Sequence, residues 1–122
     1  MKPQEIVEKI AAMDGVMLAS IFDVEAGMPL AGKSNSPELD VEGVTANMGQ
    51  MAMYERRFHK SVTMQLGQFE SALLTMGDVC LVFVFNNDGA QVGMYAIVRS
   101  DSPAAPALVL RSIMTYFSQM KI

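Results

Sequence analysis

The chain has 122 residues, 51% of them hydrophobic and 18% charged, with a formal charge of −4. That length suits one domain over residues 1–122 with a core of ordinary size, and an acidic chain lacks the basic surface that nucleic-acid phosphates require. No apolar run approaches the ~20 residues that cross a bilayer, and the opening MKPQEIVEKI has acids where a signal peptide has an apolar region, so the expected location is cytoplasmic.

Pro3 to Met13 sets Ile6, Val7, Ile10 and Ala11 on one helical stripe, with Pro3 in the first turn and Asp14-Gly15 as the stop. Val16 to Phe22 is almost continuously apolar, which predicts a strand covered on both faces. Asp23 to Gly27 reads as a turn, Met28 to Ala31 as a short strand, and Gly32 to Pro37 as a loop. Pro29 cannot donate to a ladder, so this strand belongs at a sheet edge, which the proline protects.

The longest helix is expected from Leu39 to about Ser61. Val44, Met48, Met51, Phe58 and Val62 recur on one side at steps of three and four. Glu55 falls within that stripe, either at its margin or paired with a base. Ala46, Gly49 and Met53 cluster on the opposite side. A glycine inside a helix costs roughly 1 kcal/mol relative to alanine, so Gly49 reflects either the close approach of a second helix or simple tolerance. Arg56, Arg57 and Lys60 near the C-terminal end favour the helix dipole. They are either a solvated helix end or a contact for an acidic partner.

Three strands follow: Phe69 to Met76, Val79 to Phe85, and Gln91 to Val98. Gly77-Asp78 and Asn87-Asp88-Gly89-Ala90 supply hairpin turns. The middle strand is apolar without a break, and Glu70, Ser71 and Thr75 interrupt the first, as expected nearer an edge. Ser102-Pro103 predicts a helix start, and Val109, Ile113, Phe117 and Met120 line one face of the closing helix. The order is α-β-β-α-β-β-β-α, an α+β chain whose antiparallel sheet carries helices on both faces. Internal repeats and linkers are absent, and the generous apolar supply points to burial in a partner.

Catalytic chemistry is thin. The chain has no phosphate-binding glycine loop, no HExxH, no paired CxxC and no nucleophile elbow. Cys80, the single cysteine, sits in the apolar strand and reads as a buried small hydrophobe. His59, the single histidine, lies among bases with no third group to complete a catalytic set. Asp23-Glu25 and Glu38-Asp40-Glu42 suit a turn and a helix start, and the twelve methionines suit adaptable packing. No catalytic residue, metal site or cofactor is expected.

The order of elements and several local phrases resemble the Roadblock/LC7 family along essentially the whole chain. EIVEKIAAMDGVMLASIFD is similar to that family's opening helix and first strand, and Met28-Pro29-Leu30-Ala31 to its second strand. Phe69-Glu70-Ser71-Ala72-Leu73-Leu74 and Asn87-Asp88-Gly89 are similar to its third strand and last hairpin. The turn DVEAG departs by one extra residue. The resemblance implies a profilin-like, five-stranded antiparallel sheet of order 2-1-5-4-3, with the long helix on one face and the terminal helices on the other. It also implies a homodimer that pairs third strands and apposes long helices, and a role in binding and regulating or scaffolding small Ras-like GTPases, or in linking motor and membrane complexes.

Two functions of different class follow. The first is a noncatalytic homodimeric module for a Ras-like GTPase, with Gly49, Met53, Phe69, Ser71, Leu73 and Thr75 as the dimer interface and Arg56, Arg57 and Lys60 as the partner-binding set. The second is a small-ligand sensor of PAS type, which needs a pocket with convergent polar groups. The doubly apolar strands offer little polar lining for one.

Overall fold

The computed structural model describes residues 1–62, 71–85, 92–101 and 105–120; at positions 55, 56 and 58–62 it describes the backbone alone. The elements are α1 (Pro3–Ala11), β1 (Val16–Asp23), β2 (Met28–Ser34), α2 (Val41–Val62), β3 (Ser71–Met76), β4 (Val79–Phe85), β5 (Val92–Arg99) and α3 (Ala105–Phe117). Their order is the expected one, and the strands form one antiparallel sheet, β2-β1-β5-β4-β3. Phe69-Glu70, the Asn87–Ala90 turn and Ser102-Pro103 lie outside the described residues. Among the described residues, no helix is long and apolar enough to cross a membrane.

Alternation along the strands sends two sets of side chains to opposite faces. On one face, α1 and α3 cover Val16, Ala19, Ile21, Cys80, Val82, Val84, Met94, Ala96 and Val98. Ile6, Val7 and Ile10 of α1 and Val109, Ile113 and Phe117 of α3 fill that layer. On the other, α2 lays Met48 and Ala52 over Leu18, Phe22, Leu81, Phe83, Phe85 and Tyr95. Phe22 stands edge-on to both Phe83 and Tyr95, with ring centroids 5.7 Å apart in each pair. The doubly apolar reading of β1 and β4 holds.

Element ends shift by a residue or two in several places, and two of the shifts have a clear cause in packing and capping. β2 runs on to Ser34, with Lys33 opposite Ala19 and Ser34 opposite Leu18. The stretch expected to be a loop stays paired because Gly32 leaves room for Val41 of α2; a Cβ there would collide with the valine. α2 begins at Val41, not Leu39, because Asp40 caps it. The Asp40 carboxylate accepts from the Gly43 amide at 3.0 Å, the usual bond from an N-cap to the third helical residue. Pro29 lies opposite Phe22 on edge strand β2, beside a bulge that skips Leu30.

One polar contact interrupts the apolar layer beneath α2. The Thr45 hydroxyl lies 2.8 Å from the Tyr95 hydroxyl and 3.2 Å from that of Ser20, and all three residues are fully buried. Burial pushes the Tyr95 phenol above the ordinary tyrosine value, against the lowering influence of the neighbouring Thr45 and Ser20 hydroxyls. A phenol whose folded pKa is raised contributes stability that is complete below the unfolded value and is lost as pH climbs through the folded one. As pH rises past the ordinary tyrosine pKa of about 10, the melting temperature of wild type should fall more steeply than that of Tyr95→Phe. Equal slopes would remove Tyr95 from the alkaline response.

Candidate interaction surfaces

The sheet has two edges, β2 and β3, and they are built differently. β2 carries Pro29, a bulge and the exposed Lys33, three devices that discourage an incoming strand. β3, with the sequence SALLTM, has no proline and no charge. Leu73 and Met76 on it are 46% and 51% exposed. Cross-strand partners fix its faces. Ser71, Leu73 and Thr75 lie opposite Val84, Val82 and Cys80, on the α1/α3 side. Ala72 and Leu74 lie opposite Phe83 and Leu81, and pack into the layer under α2. Phe69, also expected at this edge, lies outside the described residues.

The second surface is the outer side of α2. Thr45, Met48 and Ala52 are buried, so the side that bears Met53 turns away from the sheet, and Met53 is 46% exposed. One turn on, the exposed Arg57 guanidinium lies 5.6 Å from the ring centroid of Tyr54, itself 66% exposed. A cation over an aromatic face is electrostatically favoured and holds the long side chain in place. The side chains of Glu55, Arg56 and Lys60 lie outside the described residues.

Gly49 is corrected. It sits on the buried side of α2 under the β1–β2 turn, where an added Cβ would lie 2.9 Å from the Gly27 Cα and 3.4 Å from the Val24 carbonyl oxygen. The turn accounts for the glycine from within the chain: Gly27 adopts φ +64, a left-handed conformation that suits glycine, and the Asp23 carboxylate accepts from the Ala26 amide. Met53 projects on the α2 side of the sheet, and Leu73 and Thr75 on the other.

Sequence reasoning missed Thr45 and Tyr54. The first had a signal, a hydroxyl one position from Val44 within an apolar stripe. The second had another, an aromatic residue three before an arginine on a helix.

Cys80 is buried, and desolvation raises its thiol above the ordinary value, which suppresses the reactive thiolate. Among the described residues, no group of three or more His, Cys, Asp or Glu is placed to hold a metal. An open cleft of about 510 Å³ lies at the end of the sheet, lined by Met17, Gly77, Asp78, Val79, Arg99, Ser100 and Asp101.

No protein-family model and no curated protein matches the sequence. Solved structures do match. A Roadblock/LC7 domain from Streptomyces avermitilis superposes with a TM-score of 0.68 at 10% identity, covering 97% of this chain and 99% of its own. The strand order 2-1-5-4-3 with one helix layer on each face is thus shared over nearly both full lengths. The chain has the Roadblock/LC7 fold. MglB from Myxococcus xanthus superposes at 0.70 with 8% identity, covering 95% of this chain and 87% of its own. An MglB solved in a tetrameric arrangement reaches 0.73 at 16% identity, covering 94% of this chain and 84% of its own. These superpositions establish the Roadblock/LC7 architecture, and identities of 8–16% leave function to be argued from the chain's own surfaces.

Proposed function

We propose that the chain is a noncatalytic protein-interaction module, one domain over residues 1–122, that self-associates through β3 and binds and regulates or scaffolds a small Ras-like GTPase. The observation that carries the first half is the asymmetry of the sheet edges. One edge is blocked by Pro29 and Lys33; the other is an uncharged strand whose exposed Leu73 and Met76 are left to solvent by a single copy. Antiparallel pairing of two β3 strands about a two-fold axis closes that edge and buries those side chains together.

The GTPase half rests on the resemblance and on the outer side of α2. There Met53, Tyr54 and Arg57 combine apolar area with an exposed guanidinium, a composition enriched in protein contacts. Met53 and Arg57 stay in the proposed surfaces, joined by Tyr54, while Gly49 leaves them because the β1–β2 turn covers it. Arg56 and Lys60 join on sequence alone. A small-ligand sensor needs an internal pocket with convergent polar groups, and the layer between sheet and α2 is filled by Phe22, Phe83, Phe85 and Tyr95.

Titration of the chain with the Ras-like GTPases of its source organism tests the second half. The R56E/R57E double variant is expected to weaken binding at least tenfold while keeping the fold by circular dichroism. Unchanged affinity would remove this surface, and failure of every such GTPase to bind would remove the partner class.

A further inference from the structure

The α2 side of the sheet is not covered to its end. Ile97 and Leu81 are cross-strand partners in the layer beneath the helix. Arg99 and Val79, two residues further along these strands, are partners on the same side. Leu81 is buried, Val79 only partly so, and Arg99 is exposed, so the covered layer stops between these two rows. The open cleft of about 510 Å³ lies there, within the ~300–1,000 Å³ typical of small-ligand sites. Main-chain bonds hold its walls: the Arg99 amide donates to the Gly15 carbonyl and the Ser100 amide to the Asp78 carbonyl, each at 2.8 Å.

Arg99, Asp78 and Asp101 share this cleft, and among the described residues none of them makes an ion pair or a side-chain hydrogen bond. The Ser100 hydroxyl, in the cleft wall, is enclosed without a partner, a state that native folds seldom leave unanswered. One base and two acids make the lining net negative, so a plain anion is repelled, while a plain cation meets the guanidinium. The geometry points to a binding site for a small zwitterion: a free amino acid or dipeptide with an apolar side chain. Its carboxylate accepts two parallel bonds from the planar fork of Arg99. The Ser100 hydroxyl donates a third after a turn about χ1, a step between staggered wells. The ammonium lies between Asp78 and Asp101, and Met17 and Val79 take the side chain.

This is a further function, independent of the β3 edge and of the outer side of α2. The cleft lies outside the filled aromatic layer beneath the helix, and the Gly77-Asp78 turn that follows β3 forms one of its walls. A bound zwitterion leaves Leu73 and Met53 uncovered. Failure of this site would leave the reading of both surfaces unchanged.

Isothermal titration of the whole chain with leucyl-leucine, its N-acetyl form and its C-terminal amide tests the assignment, because each blocked form removes one charge. The free dipeptide is expected to saturate one site with a Kd below about 1 mM, and each blocked form to bind at least tenfold more weakly. R99Q should weaken the dipeptide at least tenfold and no longer distinguish it from the amide. D78N/D101N should do the same for the acetyl form, and S100A should weaken the dipeptide about fivefold. Arg99, Asp78 and Asp101 are exposed, so circular dichroism of their variants should match wild type. No saturation by the free dipeptide at about 10 mM, equal binding of the three forms, or wild-type affinity in any of these variants would overturn the site.

Discussion

Gly49→Ala is expected to lower the unfolding free energy by about 1–2 kcal/mol, and Gly49→Val by about 2–4 kcal/mol, as overpacking of a filled site does. The direction is what makes the experiment informative. In the interior of a helix, replacing glycine by alanine normally gains about 1 kcal/mol through backbone entropy and propensity. Here the added methyl meets main chain, not a side chain that can swing aside: the Gly27 Cα at 2.9 Å and the Val24 carbonyl oxygen at 3.4 Å. Gly27 has little freedom to retreat. It holds φ +64 in a turn tied to Asp23, and its own face rests on the backbone of Ala46. Urea titrations of the three proteins measure the effect. A stabilised Gly49→Ala would show that the turn does not press on the helix and would reopen the outer side of α2 as the reason for the glycine.

Thr45→Val should cost about 2–4 kcal/mol, because it strands two buried hydroxyls at once, each worth about 1–3 kcal/mol when unpartnered. Valine keeps the shape of threonine, so packing changes little. What is lost is the atom that bridges Ser20 of β1 and Tyr95 of β5 to α2. Tyr95→Phe should cost less, about 1 kcal/mol, since Thr45 keeps Ser20 as a partner and one neutral hydrogen bond nets about that much. The double variant should be less destabilised than the sum of the singles, because the phenylalanine removes one of the groups that valine leaves unpaired. Strict additivity in thermal or urea unfolding would mean that the two hydroxyls do not act as a unit. The bridge matters for function through direction. The buried side of α2 is led by the flexible Met48 and the small Ala52, so a directional bond at Thr45 helps set which side of the helix faces outward, with Met53, Tyr54 and Arg57 on it.

The strands were legible because their signals are local. Val79–Phe85 is uninterrupted, Pro29 can sit only at an edge, and both α1 and α3 show clean apolar stripes. The end of β2 was not, because its pairing depends on the absence of a side chain at Gly32 opposite Val41, a contact between residues nine apart in sequence. Gly49 was misplaced for a related reason. Sequence shows that a glycine wants a neighbour close by, but not whether that neighbour is a second chain or a turn of the same one. The buried hydroxyls of Thr45, Ser20 and Tyr95 stayed hidden because each looks ordinary alone, and they meet only when three elements converge. Of the expected interface, Leu73 and Thr75 are placed at the open edge, and Met53 and Arg57 are exposed on α2. The fold puts these two sets on opposite sides of the sheet.

The claim on which the rest depends is that β3 is an edge made to be covered by another copy. Light scattering coupled to size exclusion at micromolar concentration tests it most directly, on wild type beside L73P and L73K. L73P removes a backbone donor from the strand; L73K leaves the backbone intact and adds a charge at a position already 46% exposed, so it should fold as wild type does. The account predicts at least a dimer for wild type and loss of that association in both variants, with circular dichroism unchanged in L73K. A wild-type monomer, or a folded L73K that associates as tightly as wild type, would contradict it.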